Sequence, residues 1–471
     1  MQPYIRARMN GTLLGITLYV LAQLAIGAWV ARRIHTEEDY LVAGRSLGYG
    51  LAIFTVFATW FGAETCIGAA GAIYEAGLSG GSADPFGYAL CLFFMGAVFA
   101  VPLWRRRLTT MADLFRQRFS PGVERLAVLL MVPTSLLWAA AQIRAFGQVI
   151  SASSGLDVEL TITIAAGVVI VYTVSGGLLA DAITDLIQGS ALIIGLVVLF
   201  AAIMLGDGLD AVASVPADRL ALFGNGTVPW YEVAETWAIP IFGSVVAAEL
   251  VSRVIATRSP TIARNSCMIA SGVYLAVGLI PVTIGLIGVR YLPGLEHPEQ
   301  VLPLLAQQHL NPLMYALFAG ALLSAILSTV DSTLLVSSSL VSHNIVMPLW
   351  PGLSEARKVR IARIGVATFG VLAYVMALHA EGVYALVEQA SAFGSAGIVV
   401  IVVFGLFTRR GGPASAFAAL LAGVSVWVVG SYVLGLSWAY LAALAASVGA
   451  YVLTAMVERA PSPAFATVAA D

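Results

Sequence analysis

The sequence predicts an all-α integral membrane protein built from two related halves. Three observations predict it. Of 471 residues, 59% are hydrophobic and only 11% charged. A soluble chain carries roughly 25% charge, so this one has too little polar surface to face water. The apolar residues fall into about thirteen stretches of the ~20 residues that a spanning helix needs. Two stretches are interrupted by Gly, Pro or a carboxylate at matching positions of two halves, a pattern that points to inverted repeats.

In chain order the expected spans are 11–31, 48–78, 82–104, 124–153, 157–175, 180–205, 231–256, 264–290, 313–345, 361–380, 383–407, 413–434 and 437–457. The first follows Arg6 and Arg8, as a secretory signal would, but its apolar run at 13–30 exceeds the 7–15 residues of a signal core and reads as a retained helix. The second is broken: 57–81 carries Gly62, Gly68, Gly71, Gly77, Gly80 and Gly81, with Glu64 among them. The seventh is broken too, with Pro240, Gly243 and Glu249 inside 237–253. Gly and Pro weaken helices, and irregular backbone at membrane depth is tolerated where it is buried in protein or lines a cavity. The competing reading is that glycine allows close helix packing. The broken spans open two blocks of five helices, 48–205 and 231–407, and 458–471 is a short Ala/Pro-rich tail expected to be cytoplasmic and disordered.

Lys and Arg set the orientation. Of 24, 19 fall in alternate loops and on the tail (Arg105, Arg116, Arg253, Arg258, Arg357 and Lys358 among them), and four fall on the other side. The expected topology is N-terminus outside and C-terminus cytoplasmic, in the plasma (inner) membrane, with Arg6 and Arg8 outvoted. No basic run marks a nucleic-acid partner. Cys66, Cys91 and Cys267 are an odd set within apolar stretches and argue against a disulfide framework. No Cys/His cluster, GxSxG or P-loop supports an enzyme. No soluble signalling domain follows Leu453, which weighs against a membrane sensor. The expected partners are the bilayer and a small-molecule solute, and the chain is compatible with a monomer.

The chemistry-bearing span is 313–345. Ala325, Ser328 and Thr329 share one helical face, and hydroxyls with freed carbonyls suit a hard cation. Such hydroxyls often bond the preceding helical turn instead. That reading does not account for Asp331 in their midst, nor for Asp185 on the sixth span; buried membrane carboxylates mark functional sites by default. Glu64, Arg144, Glu249, Glu388 and Gln389 are further polar groups at membrane depth, with Arg144 expected to pair with Glu64 or Glu249 or to meet a solute carboxylate.

Five strings occur in order along the chain: EDYLVAGR at 38–45, the broken stretch at 58–71, TMADLFR at 110–116, SGG at 175–177 leading through Thr184 and Asp185 to Gln188, and 324–344. With these the chain resembles the sodium:solute symporter family, which includes bacterial proline, sugar, pantothenate and sialic-acid transporters and animal glucose and choline transporters. The resemblance implies a five-plus-five inverted-repeat (leucine-transporter-like) fold with one extra N-terminal and two extra C-terminal helices. It implies a sodium site formed by backbone carbonyls of Ala58, Phe61 and Ala325 and the hydroxyls of Ser328 and Thr329. A second sodium site, present in some members, would use Asp185, Ser328, Asp331 and Ser332. Members with that site often have Ser where this chain has Asp331, which either favours a cation or adds a titratable group. Trp60, Tyr88 and Trp138 fall where the choline branch has cage residues, while Val245 and Val246 stand where that branch has another Trp. Trp60, Glu64, Tyr88, Trp138, Val246, Glu249 and Gln389 are therefore the candidate solute-binding residues, with packing as the alternative for the aromatics. The function expected is sodium-coupled symport of a small organic solute (amino acid, betaine, quaternary ammonium or similar) into the cell by alternating access. Na+ is the coupling ion and no organic cofactor is expected. The alternatives are a proton-coupled carrier of the same fold and a membrane sensor.

Overall fold

The computed structural model describes residues 36–458 except 176, 177, 225, 227 and 381, together with positions 18, 21, 22, 25 and 29. Most of the first expected span, Arg6, Arg8, Gly176, Gly177 and the tail beyond 458 therefore lie outside the described residues. Among those described, the only β pairing is an isolated bridge between Leu47 and Thr257.

Among the described residues, eight helices are long and apolar enough to cross a membrane, or up to eleven spans if each of three bent pairs counts as one. In chain order, with the shorter α5 added to that count, the elements are α1 (Tyr49–Trp60) bent against α2 (Glu64–Ala76), α3 (Ala83–Arg105), α4 (Pro121–Ser154), α5 (Val158–Ser175) and α6 (Leu178–Ile203). Then come α7 (Trp230–Gly243) bent against α8 (Ala248–Ile255), α9 (Pro260–Tyr291), α10 (Pro312–Val341) and α11 (Glu355–His379). The last are α12 (Val383–Ala392) bent against α13 (Ser395–Phe407), α14 (Pro413–Val433) and α15 (Ala439–Val457). α5 is the shorter one, apolar over Val158–Val171.

The long helices start in the same way. Ser120, Ser259 and Asn311 cap α4, α9 and α10, accepting from Val123, Ile262 and Met314 backbone N–H groups at 3.3, 3.2 and 3.0 Å, and a proline follows each cap. The cap satisfies an orphan donor, and proline at the first helical position loses no hydrogen bond. The core lies around α10: 83% of its apolar window is buried, against 22% for α15. Leu160, Ile164, Ile194, Val197, Ile364 and Val371 point outward from α5, α6 and α11. In water such a belt would be an aggregation surface; in a bilayer it is the fitting exterior.

The first break comes at Phe61 (φ −88°, ψ 81°) and bends the chain by 45°; the second lies between Gly243 and Ala248 and bends it by 40°. Both fall where the sequence places them. A third, 41° between α12 and α13, was not expected from the sequence; Gly394, at φ 69°, makes that turn. Gly243 is needed for close approach, since a Cβ there would sit 2.1 Å from the Ser391 carbonyl oxygen. Gly243→Ala is accordingly expected to lower stability by about 1–3 kcal/mol, as overpacking does. Gly167→Ala on α5, with nothing within 4 Å of its Cβ, leaves stability unchanged or raises it. Thermal unfolding of both variants in detergent checks the contrast.

Candidate functional site

The first break brings three helices together. Ala325, Ser328 and Thr329 share a face of α10, and Thr329 Oγ1 donates to the Ala58 carbonyl on α1 at 3.1 Å and to the Ala325 carbonyl at 3.3 Å. The turn beyond Phe61 packs on the same hydroxyl, since a Cβ on Gly62 would lie 2.8 Å from Thr329 Oγ1. Beside it, Ser328 donates to Asp185 of α6, whose other carboxylate oxygen accepts from Thr55 of α1 at 2.5 Å. Carbonyls, hydroxyls and one carboxylate thus converge from α1, α6 and α10, all fully or almost fully buried. This is the all-oxygen environment a hard cation selects.

The second expected cation set is divided. Ser332 donates not toward Asp185 but to Asp181, at 2.8 Å, and to the Ser328 carbonyl at 2.9 Å. Asp331 takes its hydrogen bond from Thr173. Arg253, counted in the sequence as a loop cation, is fully buried on α8 and forms an ion pair with Asp181; it also donates to Ser332 and to Ser252. Asp181 precedes Asp185 by one helical turn and Ser332 follows Ser328 by one, so this pair forms a second tier beside Asp185. Spacing alone could have singled out Asp181. Nothing in the sequence places Arg253 against it.

The three expected aromatics form one cluster. Trp60 stacks on Tyr88 at 5.7 Å between ring centroids and lies 4.4 Å from Trp138, which meets Tyr88 edge-on at 6.0 Å. All three are buried, and the indole N–H groups of Trp60 and Trp138 have no protein partner. Tyr88 shares a 2.9 Å hydrogen bond with Ser391, to which Ser244 of the second break also donates. A cavity of about 410 Å³ adjoins Trp138, lined also by Ser135, Ser244, Val246 and Glu249. A second of about 360 Å³ adjoins Tyr88, lined also by Glu64, Asp84, Pro240, Tyr384 and Glu388. The cluster therefore stands between two cavities, each bounded by a broken helix.

The model of the sodium:solute symporter family matches residues 40–423. The chain belongs to that family. Among its relatives, the high-affinity choline transporter 1 of Caenorhabditis elegans is 28% identical, covering 81% of this chain and 70% of the relative. The high-affinity proline transporter of Bacillus subtilis is 25% identical over 94% of this chain and 97% of the relative. The solved structure of a Na+-coupled sialic acid symporter, in a substrate-bound outward-open state, superposes with a TM-score of 0.83, at 18% identity, over 96% of this chain and 98% of that one. Membership makes this protein a membrane transporter, not an enzyme, with sodium-coupled symport as its general activity.

Within this symporter, the expected partners of Arg144 are corrected. Glu64 accepts from Gln142 at 2.7 Å and Glu249 from Ser135, while Arg144 donates to the Ala377 carbonyl at 3.3 Å and lines neither cavity. Gln389 is exposed and lines neither cavity; its neighbour Glu388 does. Sequence reasoning missed Asp84 altogether. Its carboxylate accepts from Thr65 at 2.8 Å and Tyr274 at 3.0 Å.

Proposed function

We propose that this symporter carries a small organic solute (an amino acid, betaine, quaternary ammonium or related amine) into the cell by alternating access. Na+ binds at the first break and the solute binds against the Trp60–Tyr88–Trp138 cluster. One observation carries the reading: Thr329 ties Ala58 of the broken α1 to Ala325 of α10, and Ala58 stands two residues before Trp60. A cation taken up by those oxygens therefore acts on the backbone that positions the solute face. The carbonyls of Ala58, Phe61 and Ala325 and the hydroxyls of Ser328 and Thr329 are the assigned ligands. Asp185 holds Ser328 toward them, or joins them directly.

The halves 48–205 and 231–407 are the assigned repeats, each opened by a broken helix. The Arg-rich loops face the cytoplasm of a plasma (inner) membrane, and the transport unit is a monomer. The experiment is uptake into proteoliposomes under an inward Na+ gradient, with choline, proline and betaine among the solutes screened. Accumulation of no solute above the sodium-free level overturns the reading.

The aromatic cluster makes its own prediction. A cation over a desolvated ring gains about 2 kcal/mol, so Trp60→Ala is expected to weaken affinity for a cationic solute roughly thirtyfold. Solute titration of the sodium-bound protein measures it. Unchanged affinity would assign the cluster to packing.

A further inference from the structure

The lining of the two cavities contains four carboxylates, Glu64, Asp84, Glu249 and Glu388, and no Lys, Arg or His. Asp84 and Glu249 have their hydrogen bonds from neighbouring hydroxyls. Glu64 differs. Gln142 occupies only its Oε2, at 2.7 Å, and the Gln142 amide is itself fixed by accepting the Ala63 N–H at 3.3 Å. Oε1 has no protein partner although the side chain is 1% exposed, and Glu64 lines the 360 Å³ cavity beside Tyr88. A buried charge is normally paired or fully hydrogen-bonded, because removing it from water is costly. Here the groups that would pair it are neutral.

We propose that the cavity lined by Glu64, Tyr88 and Glu388 is an ammonium subsite whose ligand is a net-cationic amine bearing at least one N–H, donated to Glu64 Oε1. This rests on the solute-transport reading above and narrows it. Two chemical arguments select the class. A carboxylate accepts hydrogen bonds and makes its strongest ones to charged donors. A quaternary ammonium has no N–H to give and would leave Oε1 unsatisfied. A zwitterion would bring a carboxylate into cavities whose charged side chains are all negative, with no side-chain cation to receive it. The ring of Tyr88 belongs to the same subsite, since it forms part of both the cavity wall and the aromatic cluster.

The test uses the purified full chain in nanodiscs with Na+ present, reading dissociation constants by thermal stabilisation for matched probes: ethanolamine against choline, cadaverine against its bis-trimethylammonium analogue, and proline as the zwitterion. The expected result is that an N–H amine binds more tightly than its quaternary counterpart. Glu64→Gln should weaken that amine at least about tenfold, the loss of a charge-assisted hydrogen bond, and change the quaternary probe less. Glutamine has the shape of a neutral carboxylic acid, so an unchanged amine affinity in Glu64→Gln would show that Oε1 takes no ammonium and overturn the proposal. Equal or tighter binding of the quaternary probe, binding of proline alone, or binding of none of the probes overturns it as well. Glu388→Gln, at an exposed position that does not endanger folding, is expected to weaken the amine by a smaller factor; no change in either variant counts against the subsite. A Na+ titration of the same samples separates the two readings. Stabilisation by Na+ that survives Glu64→Gln keeps the transport reading whichever way the amines behave. Failure of Na+ to stabilise the parent protein overturns the sodium site of that reading, while the amine affinities decide the subsite separately.

Discussion

Arg253→Leu is expected to destabilise the folded symporter by about 3–5 kcal/mol, the loss seen when one partner of a buried ion pair is removed. Arg253 and Asp181 are both fully buried, and the guanidinium also holds Ser332 and Ser252. Asp185 and Asp331 lie close enough to feel the same charge. One cation thus offsets three carboxylates, and deleting it leaves all three facing one another in a low-dielectric interior. Asp181→Leu combined with Arg253→Leu should recover part of the loss, because an apolar pair of similar volume removes both desolvation penalties. Thermal unfolding of the two variants in detergent decides. A single variant as stable as the parent would mean that the pair contributes nothing to holding α8 against α6 and α10.

That pair also shows where the sequence stops being readable. Apolar length and scarce charge suffice for the spans from α1 to α15, because both follow directly from the solvent the chain meets. The first two breaks are readable because Gly62, Pro240 and Gly243 each remove a helical constraint. The third rests on Gly394 alone, after the unremarkable Ser391 and Phe393. Helical spacing shows that Ser328 and Thr329 share a face with Ala325, but it cannot show which helix that face meets. So the hydroxyls were found from spacing, while the Asp185 and Ala58 partners required the fold. Arg253 reads as a loop cation because a cation near a span end is usually in water; only the packing of α8 against α6 shows that it is buried. Glu64 and Gln142 lie 78 positions apart on different helices, and no local pattern connects them.

The coupling ion gives the second large effect. Asp185→Ala is expected to weaken apparent Na+ affinity about a hundredfold, within the 2–5 kcal/mol that truncating a buried hydrogen-bonded charge costs. Thr329→Ala should act in the same direction by a smaller factor, since it removes one neutral ligand. The rival is a proton carrier, and the three carboxylates around Arg253 are the observation in its favour, because a carboxylate can serve either ion. Thr329 cannot serve both. Its hydroxyl offers lone pairs to a metal cation but holds no proton to exchange near neutral pH. Its position between the Ala58 and Ala325 carbonyls has a use in a sodium cage and none in a proton relay ending on Asp185. Uptake into proteoliposomes separates the two. Under a Na+ gradient, Thr329→Ala raises the Na+ concentration needed for half-maximal uptake, and in sodium-free medium a pH gradient alone drives little accumulation in the parent. Full-rate uptake on the pH gradient, with Thr329→Ala indistinguishable from the parent, would hand the coupling to protons and leave Asp185 as the group that carries them.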